Sequence, residues 1–223
     1  TLSHIRRLVY PLPPGSKTIG PRKLHNSQWG FVCPTESPDG GNVGIVNHLS
    51  IMSQVTTNIP EEYMIECLKD IPIIFLNECN INDIINNTNI YLNGRLIGIY
   101  NDPLFLYKYL RLLKLNSIIH YNTSISWIKL KNDINIFTDS GRIIRPVFYY
   151  KKNNSNELID GDYSKIENWD KATQGRMYGK LEINKYYYKE ELIKIKKENL
   201  LELLEESASQ IEYIDPIESE ELL

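Results

Sequence analysis

A chain of 223 residues, 42% hydrophobic and 24% charged with a formal net charge of −3, has the balance of a globular protein with room for a real core. That balance excludes a uniformly basic nucleic-acid coat, and no apolar run approaches the roughly 20 residues a bilayer span needs. Cys33, Cys67 and Cys79 are odd in number and far apart, which excludes a disulfide framework and fits a reducing compartment.

The charge is unevenly spread. Residues 1–35 carry Arg6, Arg7, Lys17, Arg22 and Lys23 and no acid, whereas 198–223 carry nine acids and no Lys or Arg. A polyanion is drawn to the first segment and repelled by the last. Within the first, Tyr10-Pro11-Leu12-Pro13-Pro14-Gly15-Ser16-Lys17 predicts a Pro-stiffened loop with a positive rim. A solvated basic turn and a phosphate-facing loop are both open readings of it.

The run from Leu24 to Val46 is too rich in Gly, Pro and polar residues for a regular helix or strand. It predicts a rigid loop whose polar groups must find partners. A buried strand is expected over 43–57, from Ile45, Val46, Leu49, Ile51, Met52 and Val55. A helix follows, with Asn58 as its N-cap, Pro60 in its first turn, Tyr63, Ile65 and Leu68 on its apolar face, and Pro72 as its stop.

Asn93-Gly94 predicts a hairpin over 90–100. Asp102-Pro103 opens a helix to Lys114 with Leu106, Leu110 and Leu113 on one face. Two strands are expected over 124–137 around Lys131-Asn132-Asp133, and a second hairpin turn at 138–142 leads to a strand over 143–150. Residues 151–162 read as a linker, 189–206 as a long helix, and 210–215 as a last strand. The fold class is α+β: small mixed units with hairpins, joined to an irregular Gly/Pro-rich loop.

No self-contained active site emerges. Glu36 and Asp39 suit acid/base or metal chemistry, but caps and loop hydrogen bonds account for such a pair more often. His4, His25, His48 and His120 form no i,i+4 metal pair. Gly40-Gly41-Asn42-Val43-Gly44 lacks the Lys-Ser/Thr of a phosphate-binding P-loop. Trp29 could stack a base, but beside a Gly/Cys strand it is expected in the core.

Several runs carry a resemblance: Leu2-Ser3-His4-Ile5-Arg6-Arg7, Pro21-Arg22-Lys23-Leu24-His25, Trp29-Gly30-Phe31-Val32-Cys33-Pro34-Thr35-Glu36-Ser37-Pro38-Asp39-Gly40 and Gly44-Ile45-Val46. Together with Leu92-Asn93-Gly94, Phe137-Thr138-Asp139-Ser140-Gly141-Arg142, Arg145-Pro146 and Ile211-Glu212-Tyr213-Ile214-Asp215, they closely resemble, in order, the second-largest subunit of multisubunit DNA-directed RNA polymerases. The chain is identified as a fragment of that family, of eukaryotic or large-DNA-virus type.

The resemblance implies a fork at 1–57, a first external domain at 58–150 with its core at about 90–150, and a second external domain at 151–223. It implies nucleotidyl transfer in the complete polymerase, with catalytic magnesium held mainly by the largest subunit and no cofactor bound by this fragment. Arg6, Arg7, Lys17, Arg22 and Lys23 are then expected on DNA, with Glu36 and Asp39 near the nucleotide-addition site. Implied partners are the largest and other polymerase subunits, DNA template, RNA–DNA hybrid and NTP, with no membrane. The implied location is the nucleus for a cellular protein, and host cytoplasm or virion for a viral one. Where the family run reads E-T-P-E-G, this chain has Glu36-Ser37-Pro38-Asp39-Gly40, so Asp39 keeps the charge on a side chain one methylene shorter. A second reading is a non-catalytic module that docks a basic partner through its acidic C-terminal part.

Overall fold

Alternating burial along a short strand builds the central sheet. The computed structural model of the chain describes residues 2–13, 16–149, 201, 204, 205 and 208–222. In β5 (Thr88–Leu92) every second residue is buried, and β8 (Asp133–Phe137) repeats the pattern one position out of phase. They lie parallel, Ile90 beside Ile134 and Leu92 beside Ile136. With β4 (Ile74–Phe75), β6 (Arg95–Tyr100) and β7 (Ser124–Ile128) they form a five-stranded sheet in the order β4-β6-β5-β8-β7. The β5–β6 turn is the expected one: Asn93 and Gly94 both take positive φ, 48° and 80°, as a two-residue hairpin of this type demands.

Helix α4 (Pro103–Leu115) covers this sheet through Leu106, Leu110 and Leu113, and α2 (Glu61–Lys69) joins the same core through Met64 and Leu68. The Asp102 carboxylate accepts a hydrogen bond from the Phe105 amide at 3.0 Å, satisfying a donor the helix leaves unpaired. Asp102→Ala should lower stability by about 1 kcal/mol while Asp102→Asn stays close to the parent, measured by urea unfolding.

The remaining strands form two smaller sheets. After α1 (Leu2–Ile5), β1 (Arg7–Val9) pairs antiparallel with β2 (Val46–His48). β9 (Ile143–Phe148) is flanked by β3 (Gln54–Val55) and β10 (Ile211–Ile214), so segments from three distant parts of the chain share one sheet. α3 (Ile81–Asn86) precedes β5, and α5 (Pro216–Leu222) follows β10. Among the described residues no helix is long and apolar enough to cross a membrane. The architecture is the α+β one that the sequence pattern implies.

Four local expectations are corrected. The strand over 43–57 divides into β2 and β3 around a turn, leaving Ile51 86% exposed; Ser53 N donates to Ser50 O and closes that turn. The helix after it starts at Glu61, not at an Asn58 cap, because Ile59 N is held by Thr138 O and keeps the chain extended up to Pro60. Its buried face uses Met64 in place of Tyr63. β9 does not fold back on β8. Thr56 grips the 138–142 turn, donating from its hydroxyl to Asp139 O and accepting there from Arg142 N, so the chain exits toward β3. The linker at 151–162 lies outside the described residues, as does the 189–206 helix apart from Leu201, Leu204 and Glu205.

Three acids of the C-terminal part turn inward and are not offered to a basic partner. Glu212, Asp215 and Glu218 are buried. Arg111 holds Glu212 with Nε at 2.9 Å from Oε1 and Nη2 at 2.6 Å from Oε2, and Lys114 Nζ lies 2.8 Å from Glu218 Oε1. Arg142 Nη1 stands 3.6 Å from Asp215 Oδ2. Buried carboxylates must be paired, and the cations come from α4 and the 138–142 turn, so charge that looks free in sequence docks β10 and α5 onto the core.

Candidate nucleic-acid interface

The segment 1–55 has too few apolar contacts to hold itself together by burial. Among its described residues only Phe31 and Leu49 are buried hydrophobics, while Leu2, Ile5, Leu24 and Trp29 are exposed. Trp29, expected in the core, is 77% exposed. Its amide closes a short turn onto Asn26 O, and Gly30 then reverses the chain at φ 76°, so Phe31 points inward instead. The Arg145 guanidinium lies over the Phe31 ring at 5.2 Å, and burial pulls its pKa below the usual guanidinium value.

Hydrogen bonds do the holding. Arg6 Nη2 donates to Leu49 O at 2.6 Å, fixing the start of β1 beyond the end of β2. Arg22 binds four carbonyls: Nε donates to Thr18 O at 3.2 Å, Nη2 to Ser16 O at 2.8 Å, and Nη1 to Gly41 O at 2.8 Å and Val43 O at 2.9 Å. The Ser37 hydroxyl accepts from Gly44 N at 2.9 Å, closing the neighbouring loop on itself. Cys33 Sγ is 3.4 Å from the Thr35 hydroxyl, whose hydrogen bond lowers the thiol's pKa.

The five cations therefore divide. Arg6 and Arg22 are half-buried and bound to backbone oxygens. Arg7, Lys17 and Lys23 are exposed, and none makes an ion pair with a described residue. Lys17 lies between the two residues, Ser16 and Thr18, whose carbonyls Arg22 holds.

The two acids also divide. Glu36 Oε1 lies 2.8 Å from His48 Nδ1, a close polar contact not in line for a hydrogen bond. Asp39 is exposed, and its carboxylate does not cap the short helical turn Gly40–Asn42 that follows it. Among the described residues no three His, Cys, Asp or Glu side chains cluster as a metal-binding group. Among the described residues three cations and one carboxylate have no ion-pair partner: Arg7 on β1, Lys17 on the loop that Arg22 holds, Lys23 next to Arg22, and Asp39 on the loop that leads to Gly44. The work of Arg22 was not legible in sequence, since nothing distinguishes a guanidinium facing carbonyls from one facing solvent.

The described residues form a basic, irregular loop element joined to an α+β unit. Residues 1–55 match the family model described as RNA polymerase Rpb2, domain 3, and residues 90–151 match RNA polymerase Rpb2, domain 4. The chain belongs to the family of second-largest subunits of multisubunit DNA-directed RNA polymerases. It is similar to DNA-directed RNA polymerase II subunit RPB2 of Schizosaccharomyces pombe, 38% identical over 157 residues that cover 70% of this chain and 13% of that protein. The similarity to DNA-directed RNA polymerase II subunit RPB2 of Encephalitozoon cuniculi is 35% over 153 residues, 69% of this chain and 13% of that protein. DNA-directed RNA polymerase subunit Rpo2 of Sulfolobus acidocaldarius is 30% identical over 179 residues, 75% of this chain and 16% of that protein. The chain thus spans about an eighth of the length of the curated relatives it matches.

Proposed function

We propose that this chain is the fork and external part of an RNA polymerase second-largest subunit and supports DNA-templated RNA synthesis by positioning DNA and the incoming nucleotide. The observation that carries the reading is the exposure of Arg7, Lys17 and Lys23 without acidic partners among the described residues, in the segment matching Rpb2 domain 3. Cations so presented contact phosphates and hold nucleic acid without reading its sequence. Asp39, exposed on the next loop, is the carboxylate free to meet the nucleotide or a neighbouring cation; Glu36 faces His48 instead.

The domain boundaries at 1–57, 58–150 and 151–223 are part of the reading, supported by the matches to 1–55 and 90–151. Catalytic magnesium is then held mainly by the largest subunit, which with the other polymerase subunits, template DNA, RNA–DNA hybrid and NTP makes up the partner set. Similarity to eukaryotic polymerase II subunits supports a nuclear location.

DNA binding measured across a salt series tests this. Affinity should fall steeply with salt, and Arg7→Ala with Lys17→Ala should flatten the log–log slope by about 0.9 for each phosphate no longer neutralised. Binding independent of salt, or a slope unmoved by both substitutions, would refute the phosphate role.

A further inference from the structure

We infer that Arg22 is a positioning residue that joins the loop at 16–18 and the loop at 41–44 into one mechanical unit, so that a displacement of the DNA-facing loop is carried to the nucleotide-facing loop. The inference rests on the proposed function for what the two loops face; the joining itself stands on geometry. A guanidinium has five N–H groups in a rigid planar fork. Here four are engaged: two by Ser16 O and Thr18 O on one loop, two by Gly41 O and Val43 O on the other. One remains, too few for a bidentate phosphate grip.

The two backbones also approach closely. Gly44 sits so close to Arg22 that an added Cβ would meet Arg22 O at 2.4 Å and Arg22 Cα at 2.6 Å. Gly44 N is in turn held by Ser37 Oγ, which carries the connection across to the Glu36 and Asp39 side of the loop. Arg22 thus ties the loops together by its side chain while its main chain packs directly against Gly44, and Lys17 rides on the held segment. Lysine could not replace it: one ammonium point carries the charge but cannot span four carbonyls on two loops.

The test uses the complete polymerase assembled with full-length subunit carrying Arg22→Lys, Arg22→Ala or Lys17→Ala, on a preformed DNA–RNA scaffold. Single-nucleotide addition gives the rate and apparent KM for NTP, and scaffold binding gives the salt slope. Both Arg22 variants should raise KM or lower the rate by on the order of tenfold, because small misplacements of positioning groups have large kinetic effects. Arg22→Lys should keep the parental salt slope, whereas Lys17→Ala should flatten it. Arg22→Lys kinetics equal to the parent, or a slope flattened by Arg22→Lys, would overturn the coupling. A slope unmoved by Lys17→Ala would instead refute the phosphate reading, so the two failures are separate.

If Arg22→Ala does not assemble, amide hydrogen exchange of Arg22→Lys decides the matter. Exchange should rise together in 16–18 and 41–44, and a rise confined to one loop would overturn the inference.

Discussion

Lys114→Met should lower the unfolding free energy by about 3–5 kcal/mol near pH 8, the scale for stripping a buried charge of its partner. Lys114 and Glu218 are both almost wholly shielded from solvent, and Lys114 Nζ contacts both carboxylate oxygens, at 2.8 and 3.1 Å. Glu218 also accepts hydrogen bonds from Ile125 N at 2.8 Å and Asp215 N at 3.1 Å, so one carboxylate fastens α4, β7 and the end of β10. Burial pushes its pKa up to about 7, Lys114 opposes that rise, and Asp215 and Glu212 add to it. Since the folded form binds its proton more tightly than the unfolded chain, this group's contribution is fully present at low pH. It is lost as pH rises from the ordinary carboxylate range through about 7.

Without the cation the carboxyl is harder still to ionise, so the loss in Lys114→Met should grow with pH. It should be small near pH 5 and large near pH 8, and Lys114→Met with Glu218→Gln should recover much of it. Urea unfolding at the two pH values is the measurement. An equal loss at both, with no recovery in the double variant, would show that Lys114 acts through packing alone.

Gly44→Ala should cost about 2–4 kcal/mol of local stability, concentrated in the 34–44 loop. Two penalties coincide there: φ is +70°, which alanine disfavours, and the new methyl would collide with the Arg22 main chain, which cannot rotate away as a side-chain tip could. Gly40, at nearly the same φ of +77°, faces open space, so Gly40→Ala should bring only the conformational cost. Protease susceptibility of the loop in the two variants would separate clash from strain, and equal susceptibility would contradict the close approach.

Much of the α+β unit was legible in sequence. Asn93-Gly94 marks its hairpin because few other residue pairs accept two successive positive φ values. Asp102-Pro103 and the leucine spacing mark α4, and Lys131-Asn132-Asp133 marks the turn between β7 and β8. These are local signals. The strand over 143–150 was also legible, but its partners were not, because Thr56 competes for the 138–142 turn from more than 80 residues away. Of the candidate site, the cations and the irregular loop could be read, but not the division of labour among them.

Residue types at short spacing were enough to establish the secondary structure of the sheet unit, the rigid Gly/Pro loop and the likeness to the polymerase family. Which charges are free was settled only by the folded arrangement. Whether a side chain meets a carbonyl, a buried counter-ion or water depends on elements distant in the chain. By that test Arg22 and Glu218 are structural ties, while Arg7, Lys17, Lys23 and Asp39 are left exposed at the surface.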